Sequence, residues 1–271
     1  MRFFLSNVEY ILLRLVRRFL VPDALLRRSG RWFPYYRAHL SQDAPGAIVD
    51  RYLAFLTRQR MDIAGATILE LGSGATNSCG YELAARSARH VLCVEPYVPF
   101  DSDLNQKVLA ITAAQRGAGL ETLTAATERL VDIRLVGDRS VDVILSHSVL
   151  EHVQHPRQLF AEIMRILKEG GVMLHLVDYR DHFFKYPLHF LQFSSATWNR
   201  FLNPGDLPRW RLMDHVAQAL DAGLKIEVLE QEENAALFHR IQEHIAPEFR
   251  AYGKAAGILS AVLYARKPAI S

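Results

Sequence analysis

The stretch Ala66-Thr67-Ile68-Leu69-Glu70-Leu71-Gly72-Ser73-Gly74 constrains the fold more than any other among these 271 residues. Its first six residues read as a short buried strand, and the two glycines that follow end it in a turn. A strand without polar alternation has to be covered on both faces, which helices do in parallel sheets. The alternation continues beyond it. A helix is expected over 78–88, the strand HVLCVE over 90–95, and a helix over 103–117. The strand VDVILS (141–146), a helix over 156–168 stopped by Gly170-Gly171, and the strand VMLHLV (172–177) come next. This pattern specifies an α/β fold with a doubly wound, mostly parallel sheet. LKIEVLE and ILSAVLYAR supply two last strands, expected as an antiparallel pair at one edge, after a helix near 211–222. The third strand should lie within 118–138 but is not distinct there.

Ahead of this domain, residues 1–62 read as a helical cap; the domain itself runs over 63–271 with an inserted segment at 178–210. A helix is expected from about Ala47 to Arg60. Phe4, Val8, Ile11, Leu12, Leu15, Val16, Phe19 and Leu20 recur at helical spacing, with Arg14, Arg17 and Arg18 off that stripe. Glu9 and the arginines interrupt any run long enough to span a bilayer, and no small-residue cleavage site follows. Net charge is +3 with histidines neutral, so the whole molecule carries no nucleic-acid signature. Residues 1–40 are the exception, holding eight arginines against Glu9 and Asp23. Such a segment suits an acidic surface, either anionic lipid or a neighbouring subunit. Packing on the domain, a homodimer and peripheral membrane contact all stay open for the amphipathic helix. Two cysteines, Cys79 and Cys93, make no disulfide framework and no zinc spacing. They read as reduced thiols of a cytosolic protein, and no metal is expected.

The turn after the first strand is the candidate ligand site. Doubly wound sheets bind ligands beyond the carboxyl ends of their strands. Gly72 and Gly74 let backbone amides approach closely, and the next helix starts just beyond them. A dinucleotide dehydrogenase also uses a glycine turn, but G-S-G-A-T-N-S has no third glycine at the G-x-G-x-x-G spacing. Glu70, ahead of the glycines, would repel a pyrophosphate and suits a cationic amino group. Glu95, ending the second strand, is placed to accept two ribose hydroxyls. The alternative that both carboxylates only cap strands in solvent fits poorly with two of them at adjacent strand ends flanking the turn.

ILELGSGAT, VEPY, VDVILSHSVLEHVQHP and LFAEIMRILKEGGVMLHLV stand in an order and spacing that resemble the class I, Rossmann-like S-adenosylmethionine-dependent methyltransferases. The resemblance covers about residues 66–177. It implies a seven-stranded sheet whose last strand is antiparallel, and S-adenosyl-L-methionine as cofactor. It further implies a donor held by Glu70, Gly72, Ser73, Gly74 and Glu95, with Ser146 and His147 at the methionine end and Tyr97 on the adenine ring. An acidic residue after the third strand would meet the adenine amine, and both Asp132 and Glu128 qualify.

Methyl transfer aligns an acceptor atom with the donor methyl, and an oxygen of high pKa gains from a general base. His147 and His182 are the natural proton acceptors, with Asp178 placed to orient one of them or hold an acceptor hydroxyl. His175, inside a strand, reads as a core histidine. Segment 178–210 carries nine aromatics, among them Tyr179, Phe183, Phe184 and Trp198, interleaved with Arg180 and other polar residues. These suit a ring-bearing, glycan or lipid-linked acceptor, with Arg180 on an anionic group; equally, the rings could pack on the N-terminal helices. Trp32, Tyr35 and Tyr36 would complete the same pocket. The expected activity is methylation of a small or carrier-linked molecule, on oxygen before nitrogen. The alternatives are a nicotinamide-dependent oxidoreductase and a non-catalytic module that keeps the fold.

Overall fold

The computed structural model describes residues 2–21, 44–181, 185–203, 205 and 207–269. Trp32, Tyr35 and Tyr36, along with His182, Phe183 and Phe184, lie outside the described residues. Seven strands form one sheet in the order β3-β2-β1-β4-β5-β7-β6. They are β1 (Thr67–Leu71), β2 (His90–Val94), β3 (Thr127–Leu130), β4 (Val141–His147), β5 (Leu167–Asp178), β6 (Lys225–Glu233) and β7 (Ile258–Arg266). β1 pairs in parallel with both β2 and β4, β2 with β3, and β4 with β5. On the far side of β5, the amide of Tyr179 donates to Leu259 and that of Lys267 to Gly171. The numbers run oppositely, so β7 is antiparallel.

Two sequence expectations need adjusting. The indistinct third strand is the four residues Thr127–Leu130, half-buried at the sheet edge, which is why no apolar run marks it. Gly170-Gly171 does not separate a helix from a strand. The helix ends at Ile166, and Leu167 already pairs with Val141. The pairing then jumps to Val143 with Val172, so the two glycines form an irregularity inside β5. There Gly170 has φ +72°, and a Cβ on Gly171 would stand 2.9 Å from the Lys168 carbonyl oxygen. The last two strands lie together at one edge as expected, with β7 between β5 and β6. Glu227, Glu230, Glu232 and Glu233 on that mostly exposed strand discourage pairing with another chain.

The helices are α1 (Arg2–Phe19), α2 (Pro45–Arg58), α3 (Ser78–Ala85), α4 (Ser102–Arg116), α5 (Leu120–Ala125), α6 (Pro156–Ile166), α7 (Leu212–Asp221) and α8 (Ala235–Ile241), with single helical turns between some of them. α4 shows why such segments stop where they do. The Asp101 carboxylate accepts from the Leu104 amide at 2.9 Å, and Gly117 closes the other end at φ 64°.

The chain forms two compact units, one made of Met1–Gln42, Asp178–His215 and Glu230–Ala261, the other of Asp43–Val177, Val216–Leu229 and Val262–Ser271. In the second unit the core is aliphatic, joining Ile68, Val91, Val143 and Leu174 of the strands to Val49, Tyr52 and Leu56 of α2. The first unit is built on aromatics. Tyr10 of α1 stacks on Phe193 with centroids 5.7 Å apart and meets Tyr186 edge-on, while Phe190 packs by Trp198. Its stretch 185–211 holds little α-helix and no strand, so many carbonyls there lack ladder partners. Buried arginines serve them. Arg209 donates to the carbonyls of Phe190 and Phe193, and Arg211 to those of Tyr179, Ala256 and Ile258. Burial lowers both guanidinium pKa values to about 10, which leaves them charged at neutral pH.

α1 packs Ile11, Leu13 and Leu15 against the core and buries polar side chains beside them. Its buried side carries Tyr10 and Arg14, both bonded to the buried Asp181 carboxylate. Val8, Leu12, Val16, Phe19 and the adjoining Leu20 are exposed instead. Removing one partner of a buried ion pair leaves an uncompensated charge. Asp181→Ala is therefore expected to lower the unfolding free energy by about 3–5 kcal/mol. A urea midpoint that falls at unchanged slope checks this; an unmoved midpoint refutes it.

Candidate active site

The candidate site lies in the second unit, at the carboxyl ends of β1 and β2. β1 feeds directly into the glycine turn. Gly72 has φ +77°, and a Cβ there would sit 2.4 Å from the Val149 Cγ2 atom. Glycine is thus required both by backbone conformation and by the valine packed over it. Gly74, at φ +68°, faces open space. Its amide donates to Glu95 Oε2 at 3.0 Å, while Glu95 Oε1 accepts from the amides of Tyr97 at 2.9 Å and Val98 at 3.0 Å. One carboxylate therefore ties the turn after β1 to the loop after β2.

Arg129 on β3 ties it from the other side. Its guanidinium donates to the Gly74 carbonyl at 2.6 Å, to Ser73 Oγ and Asn77 Oδ1 at 3.2 Å each, and lies 4.9 Å from the Phe100 ring centre. The sequence reading missed Arg129. A single cation on an unrecognised strand has no spacing that announces it. Together with Glu95, Tyr97, Val98, Phe100 and Val131 it lines an open cleft of about 500 Å³. Tyr97 is 85% exposed at the mouth. Apolar walls, a ring and a carboxylate at the base suit a nucleoside-sized ligand.

Glu70 sits deeper. It is buried, and Cys93 Sγ lies 3.7 Å from its Oε2. Burial raises its pKa to about 7, against the thiols of Cys79 and Cys93 and the charge of Arg129, which pull it down. Both cysteines are free and buried, as expected of reduced core thiols. A carboxylate so close to neutrality is poised to gain from a cationic ligand group.

Other expected residues are placed as follows. Asp132 directly follows cleft-lining Val131. Its carboxylate accepts from the Arg134 amide at 2.9 Å and from the Arg134 guanidinium, while Glu128 pairs with His90 at 3.4 Å. Each neighbours a cleft-lining residue, Glu128 beside Arg129 and Asp132 beside Val131. Ser146 is fully buried with its hydroxyl 2.6 Å from His175 Nδ1, so its side chain serves the sheet rather than a ligand. Burial lowers the His175 pKa to about 3, which keeps that core histidine neutral. His147 ends β4, half-buried, just before Ser148, whose φ of 55° is a strained conformation for a serine.

The remaining candidates belong to the first unit. Asp178 is gripped by Arg180 through two nitrogens, at 2.8 Å and 2.6 Å. Tyr179 is buried with its hydroxyl 2.9 Å from His215 Nδ1. Trp198 is 1% exposed, and its indole N–H donates to the Leu207 carbonyl at 3.1 Å. Tyr179 and Trp198 are core side chains, and Asp178 and Arg180 serve each other. The second reading of the aromatic segment, rings packed with the N-terminal helix, describes Tyr186, Phe190, Phe193 and Trp198.

Residues 69–175 match the family described as a methyltransferase domain. The resemblance to class I methyltransferases thus spans the candidate site and about two-fifths of the chain. The methyl donor of that class is S-adenosylmethionine. An uncharacterised methyltransferase of Mycobacterium ulcerans is 32% identical to the chain over 49% of its length and 46% of the relative's. The chain thus spans less than half of that relative. A thiol S-methyltransferase of Homo sapiens is 26% identical over 66% of this chain and 73% of its own. Among solved structures, Haemonchus contortus phosphoethanolamine N-methyltransferase 2, in complex with phosphomonomethylethanolamine and S-adenosylhomocysteine, shares the fold. Its TM-score is 0.53 at 16% identity, covering 94% of this chain and 60% of that one.

Glu70 makes folding pH-dependent. Its folded-state pKa of about 7 lies above the ordinary 4.5, so the folded protein binds an extra proton between those values. The stability tied to its neutral form is complete below about pH 4.5 and is lost as pH rises through about 7. Wild type should therefore lose about 3 kcal/mol between pH 5 and pH 8 relative to Glu70→Gln. Parallel stability profiles for the two proteins would show that Glu70 titrates normally.

Proposed function

We propose that the chain transfers the methyl group of S-adenosylmethionine to an oxygen atom of a small or carrier-linked acceptor. The observation that carries this reading is the Glu95 carboxylate at the carboxyl end of β2, held by the amides of Gly74, Tyr97 and Val98 beside the open cleft. The residues present fit the donor. Glu95 would hold the ribose hydroxyls, and Tyr97, Phe100 and Val131 the adenine, with Asp132 at its amine. Glu70, a buried carboxylate whose hydrogen-bonding neighbours are the Cys79 and Cys93 thiols, would take the ammonium of the methionine end. When bound, the donor supplies a methyl group on a sulfonium, electrophilic without further activation. The protein's part is then alignment and, for an oxygen acceptor, proton removal. His147, at the end of β4, is the described residue suited to that role; His182 is the other sequence candidate.

A thiol acceptor is the second reading, favoured by the likeness to the human thiol S-methyltransferase over two-thirds of the chain. A thiol of pKa about 8.5 supplies thiolate near neutral pH and needs no base.

Calorimetric titration with S-adenosylhomocysteine should give saturable binding, and NADH none. Glu95→Ala should weaken it about 10- to 100-fold, since charged hydrogen bonds are lost. Absence of S-adenosylhomocysteine binding would overturn the reading. Radiolabelled transfer to catechols and to alkyl thiols then separates the acceptors. With oxygen, His147→Ala should lower kcat about 10²-fold at unchanged donor affinity. Turnover on thiols alone, insensitive to that substitution, would establish sulfur instead.

A further inference from the structure

The unabsorbed feature is the outer face of α1. An amphipathic helix ordinarily buries its apolar stripe and shows its charges to water. Here only part of the apolar surface is used: Ile11, Leu13 and Leu15 pack against the core, and a second apolar stripe does not. Arg14 is buried and bonded to Asp181, whereas Leu12 is 57% and Phe19 62% exposed. Val8, Leu12, Val16 and Phe19 fall within a quarter-turn of one another at 100° per residue, and Leu20 continues the patch beyond the last turn. From Val8 to Phe19 the stripe runs about 17 Å along the helix at 1.5 Å per residue. A continuous apolar strip of this kind marks an interaction surface.

Charge decides what covers it. Arg17 and Arg18 stand in the last turn of α1, and Arg18 is exposed. Residues 1–40 hold eight arginines against Glu9 and Asp23. Glu9, the single acid on α1, is itself engaged by Lys185 at 2.5 Å and by the Tyr186 hydroxyl. A second copy pairing through this face would bring two strongly basic segments together. An anionic surface would neutralise them. No described helix is long and apolar enough to cross a membrane, so the contact is one of lying on the surface.

We propose that α1 docks the protein on anionic lipid bilayers, with Leu12, Val16 and Phe19 entering the headgroup boundary and the neighbouring arginines meeting the phosphates. The buried Tyr10–Asp181–Arg14 cluster holds the helix so that this face points outward. The proposal is independent of the donor and acceptor assignments above.

Flotation of the full chain with vesicles tests it. One set is phosphatidylcholine alone, the other phosphatidylcholine with phosphatidylglycerol. Wild type should float with the mixed vesicles, at least about 10-fold more than with neutral ones, and binding should weaken as salt rises. The double variant Leu12→Gln, Phe19→Gln should lose at least 10-fold of the binding to the mixed vesicles, about one decade in the partition constant. Its circular dichroism and S-adenosylhomocysteine affinity should match wild type, since both side chains are exposed and neither lines the cleft. Equal flotation of wild type and variant, equal binding to both vesicle types, or no binding to either overturns the proposal. So does a wild-type dimer that the variant converts to monomer without vesicle binding, which would assign the stripe to a second copy.

Discussion

The carboxylate of Glu95 holds together the part of the molecule on which everything else at the site depends. Parallel strands leave their last amides without ladder partners where the chain turns away, and those amides need an acceptor. Glu95 accepts from three of them, one in the glycine turn and two in the following loop. Arg129 then binds the turn's outward carbonyl and side chains, so amide and carbonyl of Gly74 are both satisfied. The cost is a backbone at φ +77° and +68°, available without strain only to glycine. Val149 closing over Gly72 removes the remaining freedom. A preorganised turn of this kind presents its ligand groups with little left to order on binding.

Glu70 shows the opposite economy. Its carboxyl is buried among thiols and left near neutrality, a local instability that a cationic ligand group would relieve. Function and stability pull against each other at that one residue, as is usual where a charge is stored for a ligand.

In the other unit the same accounting is done by arginines. A segment rich in rings but poor in regular structure buries its apolar surface easily and its carbonyls with difficulty. Arg209 and Arg211 supply the missing donors from within, each lying over aromatic faces as well. Arg14 and Asp181 extend this logic to α1, and the helix is thereby held with Val8, Leu12, Val16 and Phe19 outward.

Much of this was legible beforehand. The strand periodicity from Ile68 to Val177 determined a parallel sheet, because a buried strand permits no polar alternation. Glu70, the glycines and Glu95 announced a site through residue types that turns and strand ends demand. What escaped was whatever depends on partners distant in the chain. β3 was too short and too exposed to carry a signature, and Arg129 on it was invisible with it. Gly170-Gly171 reads locally as a helix stop, yet the pairing of Leu167 with Val141 makes it an irregularity within a strand. Trp198, Tyr179 and Ser146 have the chemistry of binding residues, and only packing showed them buried and committed elsewhere. The sequence by itself determined that α1 is amphipathic. Which of its faces is buried was decided by tertiary structure, because Asp181, some 167 residues away, offers Arg14 a buried counter-charge that no local pattern reveals.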